Sequence, residues 1–271
     1  MKKLFLICTM AVFGFGQSFA QNLSEEDYGF FNHLSAGISL GTDGIGFEVA
    51  TPLTYSFDVR AGYSFMPKFK YSKSFDLNHD PAFIDGVTKV DGEGKLNMGD
   101  FHLLFDYHPI ASSSFRVTAG AYIGKSNPLT VYNLNAFVKP EKWGIAGLEM
   151  GSGEQTYTAV SDPKTGNVAA DLKVNSFKPY IGVGFGRAVP KGRVGVQFDF
   201  GVQFWGKPEV WTHINAWDDK NFDFETKYMK VDKDRITNPK KDYQDARDAI
   251  KTIEKIFVYP VLSLKINGRI F

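Results

Sequence analysis

The chain has 271 residues, and its 31 Lys and Arg nearly balance its 30 Asp and Glu. That balance gives no electrostatic case for nucleic-acid binding, which would need a clustered basic surface. After residue 20 there is no run of about 18 apolar residues, so the sequence predicts no membrane-spanning helix. A content of 25 Phe, 12 Tyr and 27 Gly with a single cysteine is instead typical of a membrane β-barrel.

Residues 1–20 have the pattern of a secretory signal peptide. Lys2 and Lys3 precede an apolar stretch, and Ser18 and Ala20 supply the small residues of a cleavage site. The one cysteine, Cys8, lies in that stretch. We therefore expect a signal peptide over 1–20 and a single barrel domain over 21–271, in which 29 basic residues face 30 acidic ones.

Eight segments alternate apolar and polar residues, as strands with two different faces do. They are residues 33–40, 45–51, 55–65, 97–107, 115–124, 177–186, 193–205 and 258–271. In the clearest of them, Phe57 and Val59 alternate with Asp58 and Arg60. So many ionised groups cannot occupy an apolar core. The pattern predicts an all-β, closed antiparallel up-and-down transmembrane barrel of eight strands, with its apolar face toward lipid and its polar face toward the lumen.

The joins between the predicted strands fall into two length classes. Those at 52–54, 108–114 and 188–192 are short, whereas those at 66–95, 125–176 and 206–257 are long, and the two classes alternate. Outer-membrane barrels have short periplasmic turns and long extracellular loops. We therefore expect periplasmic termini and long extracellular loops. Within these, 147–160 and 167–175 could form a hairpin, and 222–231 could add a strand.

One amphipathic helix is predicted at 239–257, just before the last strand. Asn238 is suited to cap its start, and Pro260 prevents its continuation. Its apolar stripe consists of Tyr243, Ala246, Ile250, Ile253 and Phe257. The stripe predicts a lid or brace on the barrel mouth, with a partner-binding helix as the alternative.

The polar strand faces predict a network of charged side chains inside the lumen. Its members are Glu48, Asp58, Arg60, Asp100, His102, Asp106, Arg116, Lys178, Asp199, Lys265 and Arg269. An eight-stranded barrel is only wide enough to be filled by side chains, so these charges should pair and close the lumen. We expect Arg60 to pair with Asp100. We expect Arg116 to reach Asp100 or Asp106. A narrow conducting pore is the alternative.

Asp100, His102 and Asp106 share the inward face of one predicted strand, where a carboxylate could orient the histidine as a general base. Such pairs arise by chance on any polar strand face. We therefore assign no catalytic residue and expect no enzymatic activity, with a lipid- or peptide-hydrolysing barrel as a further alternative. The five histidines lack metal-ligand spacing, and neither a metal nor a cofactor is predicted.

The last predicted strand ends on an aromatic residue. Its outward apolar residues and the final aromatic are Leu262, Leu264, Ile266, Ile270 and Phe271. This ending resembles the C-terminal signal strand of Gram-negative outer-membrane barrels. The resemblance implies the barrel-assembly machinery as a partner, and outer-membrane lipids, including lipopolysaccharide, as the surroundings of the barrel.

Three further motifs carry a family resemblance. They are Tyr107-His108-Pro109 followed by FRVTAG at 115–120, PYIGVG at 179–184, and PVLSL at 260–264. With them the chain resembles small Gram-negative outer-membrane barrels of the OmpA/OmpX kind, and more narrowly a group of uncharacterised outer-membrane proteins. The resemblance implies an outer-membrane location and brings no established activity. We expect a structural or surface-interaction barrel whose long loops could bind an extracellular ligand, with a porin-like barrel for small solutes as the alternative.

Overall fold

The structure is a computed structural model that describes residues 24–67, 69–77, 80–110, 113–150, 157–218, 223–237 and 241–271. The expected signal peptide at 1–20 and the expected helix cap at Asn238 lie outside the described residues.

Eight strands form a closed antiparallel barrel, as the alternation predicts. They are β1 (Ser35–Gly41), β2 (Gly44–Thr54), β3 (Phe57–Phe65), β6 (Gly99–Tyr107), β7 (Phe115–Gly124), β12 (Phe177–Phe185), β13 (Val194–Phe204) and β16 (Val258–Arg269). Around the barrel the order is β1-β16-β13-β12-β7-β6-β3-β2. The last strand closes on the first with Ser35 opposite Arg269 and Ile38 opposite Ile266. The predicted eight-stranded barrel is therefore confirmed.

The long joins also contain strands, of which the sequence pattern indicated only those within 147–160, 167–175 and 222–231. These strands are β4 (Lys70–Asp76), β5 (Lys89–Leu96), β8 (Leu129–Asn133), β9 (Gly147–Glu149), β10 (Thr158–Val160), β11 (Ala169–Lys173), β14 (Glu209–Asp218) and β15 (Asp223–Lys230). They form one sheet in the order β4-β5-β8-β11-β14-β10-β9, with β15 beside β14. We call it the upper sheet, and the barrel end from which it rises the upper end.

Two details of the long joins differ from expectation. The segment 169–173 pairs with β8 and β14 rather than with 147–160, whose two halves pair with each other. The segment at 223–230 is a strand, but it extends the upper sheet and does not enter the barrel. The barrel strand count therefore stays at eight among the described residues.

The helix before the last strand is α1 (Lys241–Ile253), and two short 3-10 helices cover Pro140–Lys142 and Lys233–Arg235. Ile250 of α1 is buried against Ile214 and Val231 of the upper sheet region. The expected lid on the barrel mouth is therefore wrong, because α1 braces the upper sheet instead. Phe257, at the end of the expected stripe, is 58% exposed. In the described part of the chain, no helix has the length and apolar character to cross a membrane.

The two faces of the barrel wall have opposite chemistry. Outward side chains are apolar and exposed, as for Leu40 at 66% and Phe101 at 67%. Inward side chains are polar and buried, as for Arg60 at 1% and Arg116 at 0%. This reverses the pattern of a water-soluble barrel, and it is the pattern of a barrel surrounded by lipid.

Candidate functional site

The centre of the lumen holds one cluster of ion pairs around Arg60. The Arg60 Nε lies 2.7 Å from Asp106 Oδ2, and its Nη1 lies 3.2 Å from Asp199 Oδ2 and 3.4 Å from Glu48 Oε2. All four side chains are nearly inaccessible to solvent. One guanidinium therefore holds carboxylates from three other strands of the barrel.

Two more cations complete the central cluster. Arg116 Nη2 lies 2.5 Å from Asp199 Oδ1, and Arg116 Nε lies 3.4 Å from Asp106 Oδ2. Lys265 pairs with Glu48 and lies 3.9 Å from Asp199. Since each carboxylate contacts at least two cations, the pairs form one connected network rather than separate bridges.

Small residues on the inward face make room for these long side chains. A Cβ at Gly184 would lie 3.1 Å from the Arg116 guanidinium carbon. A Cβ at Gly62 would lie 2.6 Å from His102 Nε2, which is closer than real Cβ atoms approach. Glycine in these strands thus leaves lumen volume for charged neighbours.

His102 bonds to a residue two strands away rather than to one on its own strand. Its Nε2 lies 3.1 Å from Glu48 Oε2 on β2, and its ring lies 5.1 Å from that of Tyr122. The candidate pairing of His102 with Asp100 or Asp106 does not form. Because residues at i and i+2 of a strand point in parallel along one face, His102 does not meet Asp100 or Asp106. It reaches over Gly62 of β3, which lies between His102 and Glu48 in the register.

Asp100 pairs with Lys178, not with Arg60. The Lys178 Nζ lies 2.6 Å from Asp100 Oδ1, and both side chains are buried. The expected Arg60–Asp100 pair is wrong because the β3–β6 register places Arg60 opposite Leu104. Asp100 therefore lies nearer the upper end, where Lys178 is the second residue of β12.

Asp58 has a partner that the sequence did not nominate. His108 Nε2 lies 3.2 Å from Asp58 Oδ2, and both side chains are fully buried. His108 follows Asp106 by two residues, so it occupies the next inward position after β6 ends. Extending the strand alternation past Tyr107 would have found it, but Pro109 made that segment resemble a turn.

Arg269 does not belong to the lumen network. Its Nη1 donates to the backbone carbonyls of Lys191 at 2.8 Å and Pro190 at 3.4 Å. Arg269 is the last residue of β16, so its side chain lies at the rim of the barrel. The alternation of apolar and polar residues assigned Arg269 to the correct face of the strand. It gave no information about the position of Arg269 along the barrel axis.

The lower end of the barrel, opposite the upper sheet, is closed by the turn between β12 and β13. Ala188 and Val189 of this turn are buried, at 1% and 0% exposed. The Ala188 carbonyl accepts hydrogen bonds from Ser35 Oγ at 2.6 Å and Asn267 Nδ2 at 2.7 Å. The Tyr28 hydroxyl donates to the Val189 carbonyl at 3.0 Å, and burial raises the pKa of Tyr28 to about 12. The turn is thus folded into the barrel and held there.

Aromatic and apolar side chains close the upper end. The rings of Trp205 and Tyr259 stack with centroids 4.5 Å apart, and Met98 and Val174 pack beside Trp205. The Tyr259 hydroxyl donates to the Thr42 carbonyl at 2.6 Å. Below them, a second apolar layer consists of Leu104, Tyr122, Tyr180 and Val261.

Between these layers and the charged cluster, a cavity of only about 10 Å³ remains, lined by Asp43, Glu48 and Lys265 among others. That is about the space of one water molecule. A larger groove of about 730 Å³ lies on the barrel wall around Ala36 and Ala61 and is open to the surroundings of the barrel; its lining also includes Glu48 and His102 of the lumen network. This cavity beside the charged cluster therefore offers no room for a solute larger than water.

The residues of the expected assembly signal lie on the outside of β16. Leu262, Leu264 and Ile266 are 40–48% exposed, and Ile270 and Phe271 beyond the strand are 60% and 62% exposed. The Phe271 carbonyl accepts a hydrogen bond from the Leu34 amide at 3.2 Å. The end of the chain is thus fixed to the start of the barrel.

No protein-family model and no curated protein matches the chain. The solved structures that resemble it include the crystal structures of Acinetobacter baumannii CarO2 and CarO. CarO2 is 18% identical over 88% of this chain and 98% of its own, with a TM-score of 0.46. CarO is 18% identical over 86% and 96%, with a TM-score of 0.43. Among the described residues, no group of His, Cys, Asp and Glu is arranged to hold a metal ion.

Proposed function

We propose that the protein is an outer-membrane barrel of a Gram-negative bacterium that anchors and presents the upper sheet, with a lumen that does not conduct. The reversed chemistry of the barrel wall supports a lipid environment. The sequence pattern at 1–20 supports export. Short turns at the lower end and long excursions at the upper end support periplasmic termini and an extracellular upper sheet.

The closed lumen is the observation that carries this proposal. Arg60 and Arg116 are almost fully buried, and each contacts two or more carboxylates. The cavity beside this network is only about 10 Å³, and side chains cover both ends of the barrel. A hydrated ion would need a continuous path past this network, which the side chains fill.

Single-channel recording in planar bilayers tests the proposal. The purified full chain should give no steady conductance at any salt concentration, while an established porin in the same bilayer serves as the positive control. Steady conductance of the parent protein, with folding shown by heat-modifiable gel mobility, would refute the closed lumen.

A narrow transport barrel is the second candidate, and the lower end provides its support. The closure there is made by a turn and by the segment before β1, which could move without breaking the barrel. Gating by this turn predicts conductance that disappears when Ser35→Cys is cross-linked to Ala188→Cys and returns on reduction.

We propose no catalytic role. His102 and His108 are each bonded to a carboxylate and are buried, at 8% and 1% exposed. We also propose that the outward residues of β16 are recognised by the barrel-assembly machinery. Replacing Leu264 and Ile266 with Ser should slow assembly in cells while the purified variant still refolds.

A further inference from the structure

One face of the upper sheet carries a group of adjacent aromatic rings. In the register of β14 and β15, Trp211 lies opposite Lys230, and His213 lies opposite Tyr228. Side chains directly opposite each other in an antiparallel pair project from the same face of the sheet. The centroid of the Tyr228 ring lies 5.6 Å from that of Trp211 and 5.2 Å from that of His213. We call these three rings the aromatic platform.

The platform is on the face of the sheet opposite α1. Ile214, the next residue of β14 after His213, is 0% exposed and belongs to one apolar cluster with Ile250 of α1. Consecutive strand residues project from opposite faces, so the platform projects away from α1. Trp211 and His213 are half-buried, and Tyr228 is 37% exposed. Tyr228 is therefore the most accessible ring of the three.

A hydrogen bond fixes the central ring of the platform. The Tyr228 hydroxyl donates to Asp171 Oδ2 at 2.5 Å, although Tyr228 is on β15 and Asp171 is on β11. Because β14 lies between these two strands, the Tyr228 side chain spans β14. The other oxygen of Asp171 accepts from Thr130 Oγ1 at 2.5 Å. A ring fixed in this way loses little further freedom when a ligand contacts it.

Carboxylates lie at the edges of the platform. Like Asp171, Glu209 accepts one hydrogen bond at each oxygen, from Trp211 Nε1 at 3.1 Å and from Lys230 Nζ at 3.0 Å. A carboxylate oxygen has two lone pairs. Both carboxylates can therefore accept further hydrogen bonds from the hydroxyl groups of a ligand.

The charges beside the platform are already matched within the protein. The Lys173 Nζ lies 3.8 Å from the centroid of Trp211 and 4.4 Å from that of Tyr228, so a cation already occupies the space between these rings. Glu209 is ion-paired with Lys230 and lies opposite Lys173 in the register. A cationic ligand would be repelled by Lys173, and an anionic ligand would be repelled by the two carboxylates. An uncharged ligand meets neither repulsion.

A gap adjoins the platform on the same face. Ala169 lies two residues before Asp171 on β11, so it projects from the same face, where it contributes only a methyl group. Its partner on β8 is Tyr132, whose hydroxyl donates to Glu93 on β5, away from the platform. The strands β8 and β14 flank β11 and are two strand spacings apart, about 10 Å. The space above Ala169 is therefore wide enough for one six-membered ring of a ligand.

The platform stands above the apolar barrel wall. Asp171 is six residues before Phe177, where β12 begins, and Trp211 is seven residues after Phe204, where β13 ends. At about 3.3 Å per residue and a strand tilt of about 40°, this corresponds to a height of about 15 Å. The polar headgroup layer of a bilayer is only about 5–8 Å thick on each side. The rings therefore meet water rather than lipid, and a ligand that covers them removes apolar surface from water.

We propose that the aromatic platform binds a neutral sugar ring of an extracellular glycan. A sugar ring has no charge, an apolar face of C–H groups and many hydroxyl groups. Its apolar face stacks on Tyr228, and its hydroxyl groups donate to Asp171 and Glu209. The Lys173 ammonium donates to a sugar oxygen. This inference rests on the proposed function and deepens it, because it gives the upper sheet a ligand and requires that sheet to face the medium outside the cell.

Saturation-transfer NMR on the full chain tests the inference in detergent micelles, where both ends of the barrel are accessible. The probes are two neutral hexasaccharides, maltohexaose and laminarihexaose. Each is used at about 10 mM, tenfold above an expected dissociation constant of about 1 mM. We expect saturation transfer from the protein to the C–H protons of at least one probe. Absence of transfer to both probes would overturn the inference.

Variants of single rings locate the binding. Tyr228→Ala removes the central ring and should weaken binding at least about fivefold. The matched control is Tyr71→Ala, because Tyr71 is 76% exposed and the register from β4 to β14 places it on the opposite face of the same sheet. Equal affinities of these two variants would overturn the inference. If Tyr228→Ala unfolds the upper sheet, as seen by hydrogen exchange in β14, His213→Ala replaces it and should weaken binding at least about twofold.

Two further arms test the ligand class and the placement of the sheet. Hexagalacturonate, a hexasaccharide that carries carboxylates, should bind no more tightly than the neutral probes, and tighter binding would overturn the assignment of a neutral ligand. Protease should cut the upper sheet in intact cells as it does in permeabilised cells. Protection in intact cells alone, with sugar binding retained in micelles, would refute the proposed function and leave the platform standing, so the two failures are distinguishable.

Discussion

The barrel and the upper sheet are built from the same kind of strand but bury opposite residues. The barrel places charges such as Arg60 inside and exposes side chains such as Phe200. The upper sheet buries Ile214 and Val231 under α1 and leaves ion pairs such as Lys89–Asp76 exposed. The difference teaches that the outer surroundings, rather than the strand itself, determine which face becomes the core.

The comparison also predicts where an ion pair matters. When a buried charge loses its partner, no water is present to solvate it. An exposed charge that loses its partner is solvated by water. Pairs in the lumen should therefore be sensitive to substitution, and pairs on the upper sheet should be tolerant.

The largest expected effect is that of Arg60→Ala. The change leaves Asp106, Asp199 and Glu48 without their shared cation, so the barrel should lose about 3–5 kcal/mol of stability if the lumen is dry. Urea unfolding in vesicles, followed by heat-modifiable gel mobility, measures it. The control is Lys139→Ala, whose partner Asp85 is 90% exposed and which should cost about 0–1 kcal/mol. Equal costs would mean that water fills the lumen.

The next effect tests what surrounds the barrel. Phe200 is 50% exposed near the middle of β13, and Phe200→Lys should cost about 2–4 kcal/mol if that surface meets lipid. Ile145 is 61% exposed in the upper region, where Ile145→Lys should be almost neutral because the side chain meets water. The same unfolding assay compares the two. If Phe200→Lys were as well tolerated as its control, the reversed wall chemistry would need another explanation.

The same difference between the barrel and the upper sheet explains why the sequence predicts the strands of one better than those of the other. All eight barrel strands were predictable, because lipid outside and charge inside force strict alternation, as from Tyr55 to Phe65. The upper strand β5, with the sequence KVDGEGKL, has no apolar face of its own. Its position is fixed by pairing with β4 and β8. A local sequence pattern does not indicate which strands pair with each other.

Within the lumen, the sequence indicated the inward face but not the height of each side chain. Asp100 and Asp106 both point inward, yet only the β3–β6 register shows that Asp58 lies opposite Asp106 and that Arg60 lies opposite Leu104. Partners from strands distant in sequence, such as Lys178 for Asp100, depend on the order of strands around the barrel.

A smaller effect is expected from shortening a core side chain of the upper sheet. Ile214 is 0% exposed, and Ile214→Val should cost about 0.5–1.5 kcal/mol, confined to the upper sheet. Amide hydrogen exchange should become faster in β14 and β10 but not in the barrel strands. Val131→Ala, at a site 43% exposed, is the control and should leave exchange unchanged. Faster exchange throughout the barrel would show that the two regions unfold as one unit.

The smallest effect concerns the ion pairs of Glu254, the residue after α1, with Lys233 and Lys207. A hydrogen bond from Lys233 at 2.8 Å, with Lys207 nearby, holds the pKa of Glu254 below its ordinary value of 4.5. The pKa of Glu254 is lower in the folded protein than in the unfolded protein. The stabilisation from its ion pairs is therefore complete above the unfolded-state pKa and is lost as the pH falls through the folded-state pKa. In acid, the amides of the upper sheet should therefore lose a little protection against hydrogen exchange in the parent. The loss should be less than about 1 kcal/mol, since the pair is near the surface.

The variant Glu254→Gln tests this by hydrogen exchange at both pH values. Its amides should be less protected than those of the parent at neutral pH and equally protected in acid. Glu141→Gln, at an exposed site on a short 3-10 helix, provides the matched control. A difference between Glu254→Gln and the parent that persists unchanged in acid would show that Glu254 acts through packing rather than through its charge.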